Sequence, residues 1–311
     1  MNWFEKFLLG LKGTMERPTN YGWFHLMFFA IVIASTILIC IYGRNAKSKN
    51  FKIVVAVLWG GVLLLEIYKQ LIFSISEVDG QAVWDYQWYA FPYQLCSTPL
   101  FLLPFVAFMK DGKIRDSIMS FLSTFAMFGG LVVFLYPNDV FVQTIGINIQ
   151  TMIHHGLQIV LGIYFMVYNR KKLNWMYFVK GIIVFAVMVG IAQLLNIIVY
   201  HAVTKANGET FNMFYISPYY PCTLALLGDL IYPNVPYIVF LLIYIIGFTG
   251  AGALMFLIQY YAIKGVTMLY NKKRVAVAFQ ATDNSTQSTT DFKPMTENEQ
   301  TNENNTTEQG Q

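Results

Sequence analysis

Phe91-Pro92-Tyr93-Gln94-Leu95-Cys96-Ser97-Thr98-Pro99 is the stretch on which the reading of this chain turns. It lies inside an apolar segment, yet it carries two prolines, an amide, two hydroxyls and a thiol. Lipid solvation asks for none of these. Proline 99 has no N–H to give Leu95, so it frees a carbonyl one residue from the cysteine. At membrane depth, a polar and locally broken helix faces protein or a water-filled cavity, not lipid. The stretch therefore predicts a buried site within a bundle of membrane helices, and it makes Cys96 a candidate reactive centre.

Composition agrees with that setting. Of 311 residues, 56% are hydrophobic and only 12% charged, against about 25% charged in a soluble domain. Mean hydropathy is +0.48. The 26 Phe, 20 Tyr and 6 Trp suit aromatic belts at the membrane surfaces. A net charge of +4 serves topology and does not point to nucleic acid. Cys40, Cys96 and Cys222 have neither paired nor metal-type spacing, which argues against a disulfide framework or a zinc site. No motif calls for a cofactor. The N-terminus lacks the charged-then-apolar pattern and small-residue cleavage site of a signal peptide.

Residues 1–20 place Trp3, Phe4, Phe7, Leu8 and Leu11 at helical spacing, predicting a short amphipathic helix in the interface. Seven apolar segments follow, at about 22–42, 53–75, 88–109, 116–136, 146–168, 176–202 and 235–262, each near the roughly 20 residues that span a bilayer. The fold class expected is an all-α, polytopic, multi-pass membrane protein with seven transmembrane helices in residues 21–275. The loops alternate in charge. Residues 43–52 carry Arg44, Lys47, Lys49 and Lys52, whereas 76–87 carry Glu77, Asp79 and Asp85 and no base. Lys110, Lys113 and Arg115 oppose a 137–145 loop holding only Asp139, and Arg170, Lys171 and Lys172 oppose a long 203–234 loop with one base, Lys205. The positive-inside rule puts the N-terminus outside and the C-terminus in the cytoplasm; Lys6, Lys12 and Arg17 before the first span run against it. From 276 to 311 the chain is rich in Asn, Thr, Gln and Glu and nearly free of apolar residues, the composition of a disordered tail.

Ionisable residues within spans are costly and mark functional sites. Glu66, Lys69 and Gln70 share one helix face of the second span. Gln94 and Cys96 lie on the third. Gln150, His154 and Gln158 are spaced four apart on the fifth, a stripe that favours His154 over His155 as the inward imidazole. Gln193, Asn196 and His201 lie on the sixth, and His25 opens the first. At 1.5 Å per residue, Cys96 and His154 each fall eight residues in from the outer boundary, and Glu66, Lys69, Gln193 and Asn196 six to nine residues from it. That is one level, roughly 9–14 Å deep, and it predicts a single polar cavity opening toward the outer leaflet. The inner halves are almost wholly apolar. Each residue also has a plain structural role open to it. Glu66 and Lys69 neutralise one another as a buried pair. A lone cysteine is usually a small hydrophobe, which suffices for Cys40 and Cys222. Buried histidines often serve only as helix contacts, a role open to His25, His155 and His201. Cys96 differs in having a His and a Lys at its own depth, either of which favours thiolate.

Three motifs, Tyr93-Gln94-Leu95-Cys96-Ser97-Thr98-Pro99, Ile153-His154-His155-Gly156 and Asn212-Met213-Phe214-Tyr215-Ile216-Ser217-Pro218, resemble the YwaF family of bacterial integral membrane proteins over about residues 20–265. That family is similar to the eukaryotic transmembrane protein 164 acyltransferases, which remodel phospholipid acyl chains. The resemblance implies a seven-span fold in a bacterial plasma membrane and a catalytic pair made of Cys96 and one of His154 and His155.

Two functions fit. In the first, an acyltransferase acting on membrane lipids, the Cys96 thiolate attacks an ester and His154 serves as base and then acid. Lys69, Gln94 or Asn196 is placed to stabilise the oxyanion, and Glu66 to orient the imidazole. In the second, a non-catalytic transporter or small-ligand sensor, the same cavity binds a solute through Glu66, Lys69 and the amides, and the prolines mark a broken-helix site.

Overall fold

The computed structural model describes residues 1–290, with side chains described through Tyr270. Chain contacts separate a unit of residues Met1–Tyr261 from one beginning at Ala262, and the residues discussed below lie in the first. The described chain is overwhelmingly helical: α1 (Trp3–Gly10), α2 (Trp23–Gly43), α3 (Ser48–Ser74), α4 (Thr98–Phe108), α5 (Lys113–Leu135), α6 (Ile145–Tyr168), α7 (Trp175–Asn207) and α8 (Tyr237–Thr290). Six of these, α2, α3 and α5 to α8, are long and apolar enough to cross a membrane, so the chain is a multi-pass helical membrane protein. Helix α8 runs past 275, where the polar tail was expected to begin, and residues 291–311 lie outside the described residues.

The apolar stretch 88–109 is resolved differently from its neighbours. Residues Trp88–Ala90 and Leu95–Ser97 form single 3-10 turns, and the α-helix starts only at Thr98. Proline explains both ends of this. Pro99 occupies the first turn of α4, where the missing N–H costs nothing. The Leu95 carbonyl is held instead by the Thr98 hydroxyl at 2.7 Å. Pro104 lies inside α4 and frees the Leu100 carbonyl, which accepts from the Trp59 indole at 3.0 Å. Cys96 thus stands on an irregular approach to a short helix. The acidic 76–87 stretch holds one β-hairpin, β1 (Ile75–Val78) paired with β2 (Gln81–Trp84). Its turn is Asp79-Gly80, both at positive φ (51° and 72°), the geometry Asp-Gly favours.

Burial sets the order of the helices. Two thirds of the apolar window of α5 and of α6 is buried, against less than a third in α2, α3, α7 and α8. Helices α5 and α6 are therefore central, and the others present apolar side chains outward. Stacked rings of Phe125, Phe185 and Phe178 join α5 to α7, with Phe125 and Phe185 centred 4.5 Å apart. A π-turn at Leu122–Ala126 in α5 accompanies a polar cluster in the half of the bundle expected to be apolar. There Ser120 donates to the Tyr177 carbonyl at 2.6 Å and Gln259 donates to the Ser123 carbonyl at 2.8 Å.

The loops gather at two ends. At one, Arg170 donates to the Arg44 carbonyl and to Asn45, Lys52 to the Met109 carbonyl, and Lys172 pairs with Asp116. At the other, Lys12 donates to the Ile75 carbonyl and Arg17 to that of Asn138, while the Met15 amide reaches Gln143. Helix α1 is closed by an Asn2–Glu5 capping box and leaves Trp3 and Phe7 exposed.

Candidate functional site

Helix α6 carries its polar stripe on one face, and all of Gln150, His154 and Gln158 are buried. Two of the three converge on Cys96. His154 Nε2 donates to the Cys96 carbonyl at 2.9 Å, and Gln158 Nε2 donates to the same oxygen at 2.7 Å. A carbonyl only accepts, so a neutral His154 carries its proton on Nε2 and its lone pair on Nδ1. That Nδ1 is buried without a hydrogen-bond partner, as is the Gln158 Oε1. Native interiors rarely leave such acceptors unpaired. The Cys96 side chain is half-buried and free of any disulfide. The imidazole therefore meets Cys96 through the main chain, not through the thiol.

The close approach of α5 to α6 at this level depends on Gly130. A Cβ there would stand 2.7 Å from both Cβ and Oε1 of Gln158. One residue earlier, a Cβ on Gly129 would meet Leu95 at 3.5 Å and the Cys96 amide nitrogen at 3.7 Å, ordinary contact. Cys96 is thus enclosed by α5 on one side and α6 on another.

Helix α3 supplies the charge. Lys69 and Glu66 form an ion pair at 2.8 Å, both largely buried. Gln70 donates to Glu66 at 2.6 Å and to the Ala90 carbonyl at 2.8 Å, tying the pair to the turn that leads into Cys96. Both charges interact electrostatically with Cys96 and with His154. A buried ion pair persists when further hydrogen bonds complete it, and Gln70 provides one.

The remaining sequence-predicted residues go elsewhere. His155 turns back on its own helix, donating from Nδ1 to the Thr151 carbonyl at 2.8 Å. Gln150 accepts from the Thr151 hydroxyl at 3.5 Å. His25 is fully used: Nε2 donates to the Phe134 carbonyl at 2.7 Å, and Nδ1 accepts the Tyr21 amide at 2.9 Å. Gln94 and Asn196 spend both ends of their amides on one backbone segment. Gln94 donates to the Asn212 carbonyl at 2.9 Å and accepts the Phe214 amide at 2.8 Å. Asn196 donates to the Met213 carbonyl at 3.0 Å and accepts the Met213 amide at 2.7 Å.

That segment is a feature the reading of candidate site residues missed. Asn212 accepts the Ser217 amide at 2.8 Å and donates to the Pro221 carbonyl at 3.0 Å. Phe211, Met213, Phe214, Ile216 and Ser217 are buried, and Phe214 and Tyr215 both adopt positive φ (57° and 59°). Three amides fastening one short, strained segment beside Cys96 give it a fixed place in the site. Its advance signal was the Asn212–Pro218 motif, one of the three that carry the family resemblance.

A protein-family model described as the TMEM164 family matches residues 20–260, a range that contains Cys96, the whole of α6 and the clamped segment. Neither the curated proteins nor the solved structures compared give a match.

Proposed function

The chain belongs to the TMEM164 family, and on that premise we propose that it is a membrane acyltransferase working through Cys96 and His154. The supporting observation is the half-used pair of acceptors, His154 Nδ1 and Gln158 Oε1, buried beside the Cys96 carbonyl. Holding Nε2–H on that carbonyl fixes the tautomer and leaves Nδ1 as the basic nitrogen. In the proposed reaction, a bridging water carries the thiol proton to Nδ1, which makes no direct hydrogen bond to the thiol, and the thiolate forms a bond to the ester carbonyl of a membrane lipid. Collapse of the tetrahedral adduct breaks the ester C–O bond, and the imidazolium returns the proton to the departing lyso-lipid alkoxide. A second alcohol then gives its proton to Nδ1 and attacks the thioester, and Cys96 leaves as thiolate and is reprotonated. Lys69 is the nearby cation for the oxyanion, and Glu66 supports the imidazolium.

The finer topology is part of this proposal. Thr98–Phe108 with its preceding turns acts as a seventh, interrupted crossing. The basic end faces the cytoplasm, and the end bearing the N-terminus, the hairpin and the clamped segment faces outward, with α1 in the interface. Resemblance to the YwaF branch supports a bacterial plasma membrane, with its lipids as substrates.

A transporter or sensor reading draws on the buried Glu66–Lys69 pair. The two are separated by paired variants. The enzyme loses thioester labelling by an alkyne-tagged lipid ester on Cys96→Ser, whereas a transporter keeps its function in Cys96→Ala and loses it in Glu66→Gln. Equal labelling of wild type and Cys96→Ser ends the nucleophile assignment.

A further inference from the structure

A cavity of about 260 Å³ lies where α5 begins and α6 ends, and four bases, Arg115, Arg170, Lys171 and Lys172, belong to its lining. Arg115 and Gly130 share α5 and stand about 22 Å apart at 1.5 Å per residue, so the cavity is remote from the Cys96 site. Two carboxylates, Asp111 and Asp116, also line it, but both are taken. Asp116 pairs with Lys172 at 3.0 Å. Asp111 pairs with Arg115, accepts the Ser48 hydroxyl at 3.1 Å and lies 3.9 Å from Lys52. Arg170 gives its N–H groups to neutral acceptors, the Arg44 and Val167 carbonyls and the Asn45 side chain. Among the described residues no carboxylate pairs with Arg170 or Lys171, so the lining carries uncompensated positive charge.

Exposed bases at the end of a bundle serve topology, and Lys171 is exposed. Arg115 is different. It is only 2% exposed, and burial does nothing for topology. Its guanidinium is fixed in place: Nε donates to the Val106 carbonyl at 2.8 Å, Nη1 donates to Asp111, and the central carbon stands 5.0 Å over the Phe51 ring. Nη2 is buried without a hydrogen-bond partner, although the Tyr168 phenol stands near the guanidinium in the same lining. A planar guanidinium with an open N–H edge matches the oxygens of a phosphate. The cavity falls below the roughly 300–1,000 Å³ of small-molecule sites, which leaves room for a phosphate and a short linker but not for a nucleotide. A phosphate entering it loses water but meets a fixed guanidinium and two bases without carboxylate partners, which offsets the desolvation. Basic pockets between membrane helices take phospholipid headgroups in this way.

The geometry points to a binding site for an anionic phosphate group, held by Arg115 Nη2 and Lys171 with Arg170 as flanking charge. The phosphate is that of an anionic phospholipid headgroup or free phosphate. Full-length chain in detergent micelles is titrated with phosphatidic acid and phosphatidylcholine of matched chains, read by native mass spectrometry, and with inorganic phosphate, read by thermal midpoint. Phosphatidic acid is expected to bind about 10-fold tighter than phosphatidylcholine, whose own ammonium is repelled by the bases. Each unit of charge at such a site is worth about 5-fold in affinity, so Lys171→Glu is expected to weaken phosphatidic acid about 25-fold. That position is exposed and remote from Cys96, so the variant leaves the interior intact and does not report on lipid bound near the thiol. Arg115→Gln is expected to weaken binding at least as much. Should it fail to fold, Lys171→Glu decides alone. A preference for phosphatidic acid that millimolar phosphate does not displace identifies a headgroup site. A rise in thermal midpoint with phosphate that is lost in Lys171→Glu, with the two lipids binding equally, identifies free phosphate. Equal lipid binding without a response to phosphate, or a Lys171→Glu chain that binds as wild type does, overturns the site. No arm involves turnover, so failure of the acyl-transfer reading would leave this outcome unchanged.

Discussion

Two groups of polar side chains, brought together around Cys96 from distant parts of the chain, differ in how they use their hydrogen-bonding capacity. Gln94, Asn196 and Asn212 spend donor and acceptor alike on the backbone of residues 212–221. His154 and Gln158 spend their donors on one carbonyl and leave their acceptors bare. A side chain whose two ends are both matched within the fold is scaffold. One that is half matched, in an interior where unpaired acceptors are expensive, keeps a bare lone pair, a state that Gln193 Oε1 and Gln259 Oε1 share; what sets His154 and Gln158 apart is that both face the Cys96 carbonyl. Residue type and depth do not separate the two groups, since all five are amides or imidazoles at the same end of the bundle.

The largest expected effect comes from converting a half-matched residue into a fully inert one. His154→Gln keeps an N–H donor for the Cys96 carbonyl but has no basic nitrogen. Acyl transfer should fall about 10²- to 10⁴-fold, the usual contribution of a general base, while the thermal midpoint in detergent changes little. A His154→Gln protein that is active but unstable would put His154 with the scaffold. Next comes Gln94→Leu. It strips the Asn212 carbonyl and the Phe214 amide of their partner at once, and two buried groups left unpaired cost about 2–4 kcal/mol. Here the thermal midpoint should drop and residues 209–221 should lose protection in hydrogen exchange. Chemistry would suffer only in proportion to unfolding. If Gln94→Leu instead stays folded and loses turnover, the amide serves the reaction directly.

Hydropathy and charge made the bundle legible in outline. Spans expected at 22–42, 146–168 and 176–202 correspond to Trp23–Gly43, Ile145–Tyr168 and Trp175–Asn207, because a run of apolar residues has few other solutions in lipid. The four-residue spacing of Gln150, His154 and Gln158 likewise marked one face of α6, and His154 and Gln158 on that face meet the Cys96 carbonyl. Other features lay beyond composition. The start of α4 at Thr98 follows from the prolines, yet average hydropathy runs straight through 88–97. The Asp79-Gly80 turn carried a hairpin signal that the acidic character of its loop obscured. The fate of Gln94 turned on Phe214, 120 residues away in sequence, and no local pattern reports such a pairing. Nor does sequence reveal that Gln158 shares its acceptor with His154, since that depends on how closely α5 lets α6 approach.

That approach offers the smallest and sharpest prediction, in two adjacent glycines of α5. At Gly130 an added Cβ lies 2.7 Å from Gln158 Cβ, the rigid base of the side chain, so α6 itself has to shift. Overpacking of this kind costs about 1–3 kcal/mol. The shift falls on the residue that shares the Cys96 carbonyl with His154, so Gly130→Ala should also lower acyl transfer, by about 10-fold if roughly 1.4 kcal/mol of positioning is lost. At Gly129 the added Cβ finds ordinary contacts at 3.5 Å and beyond, and the helix gains up to about 1 kcal/mol from alanine over glycine. Gly129→Ala should therefore match or exceed wild type in thermal midpoint and retain activity, although it lies nearer the Cys96 backbone. Measured side by side, the pair separates proximity to Cys96 from pressure on Gln158. Equal behaviour of the two variants would show that Gln158 has no part in holding His154 and Cys96 in register.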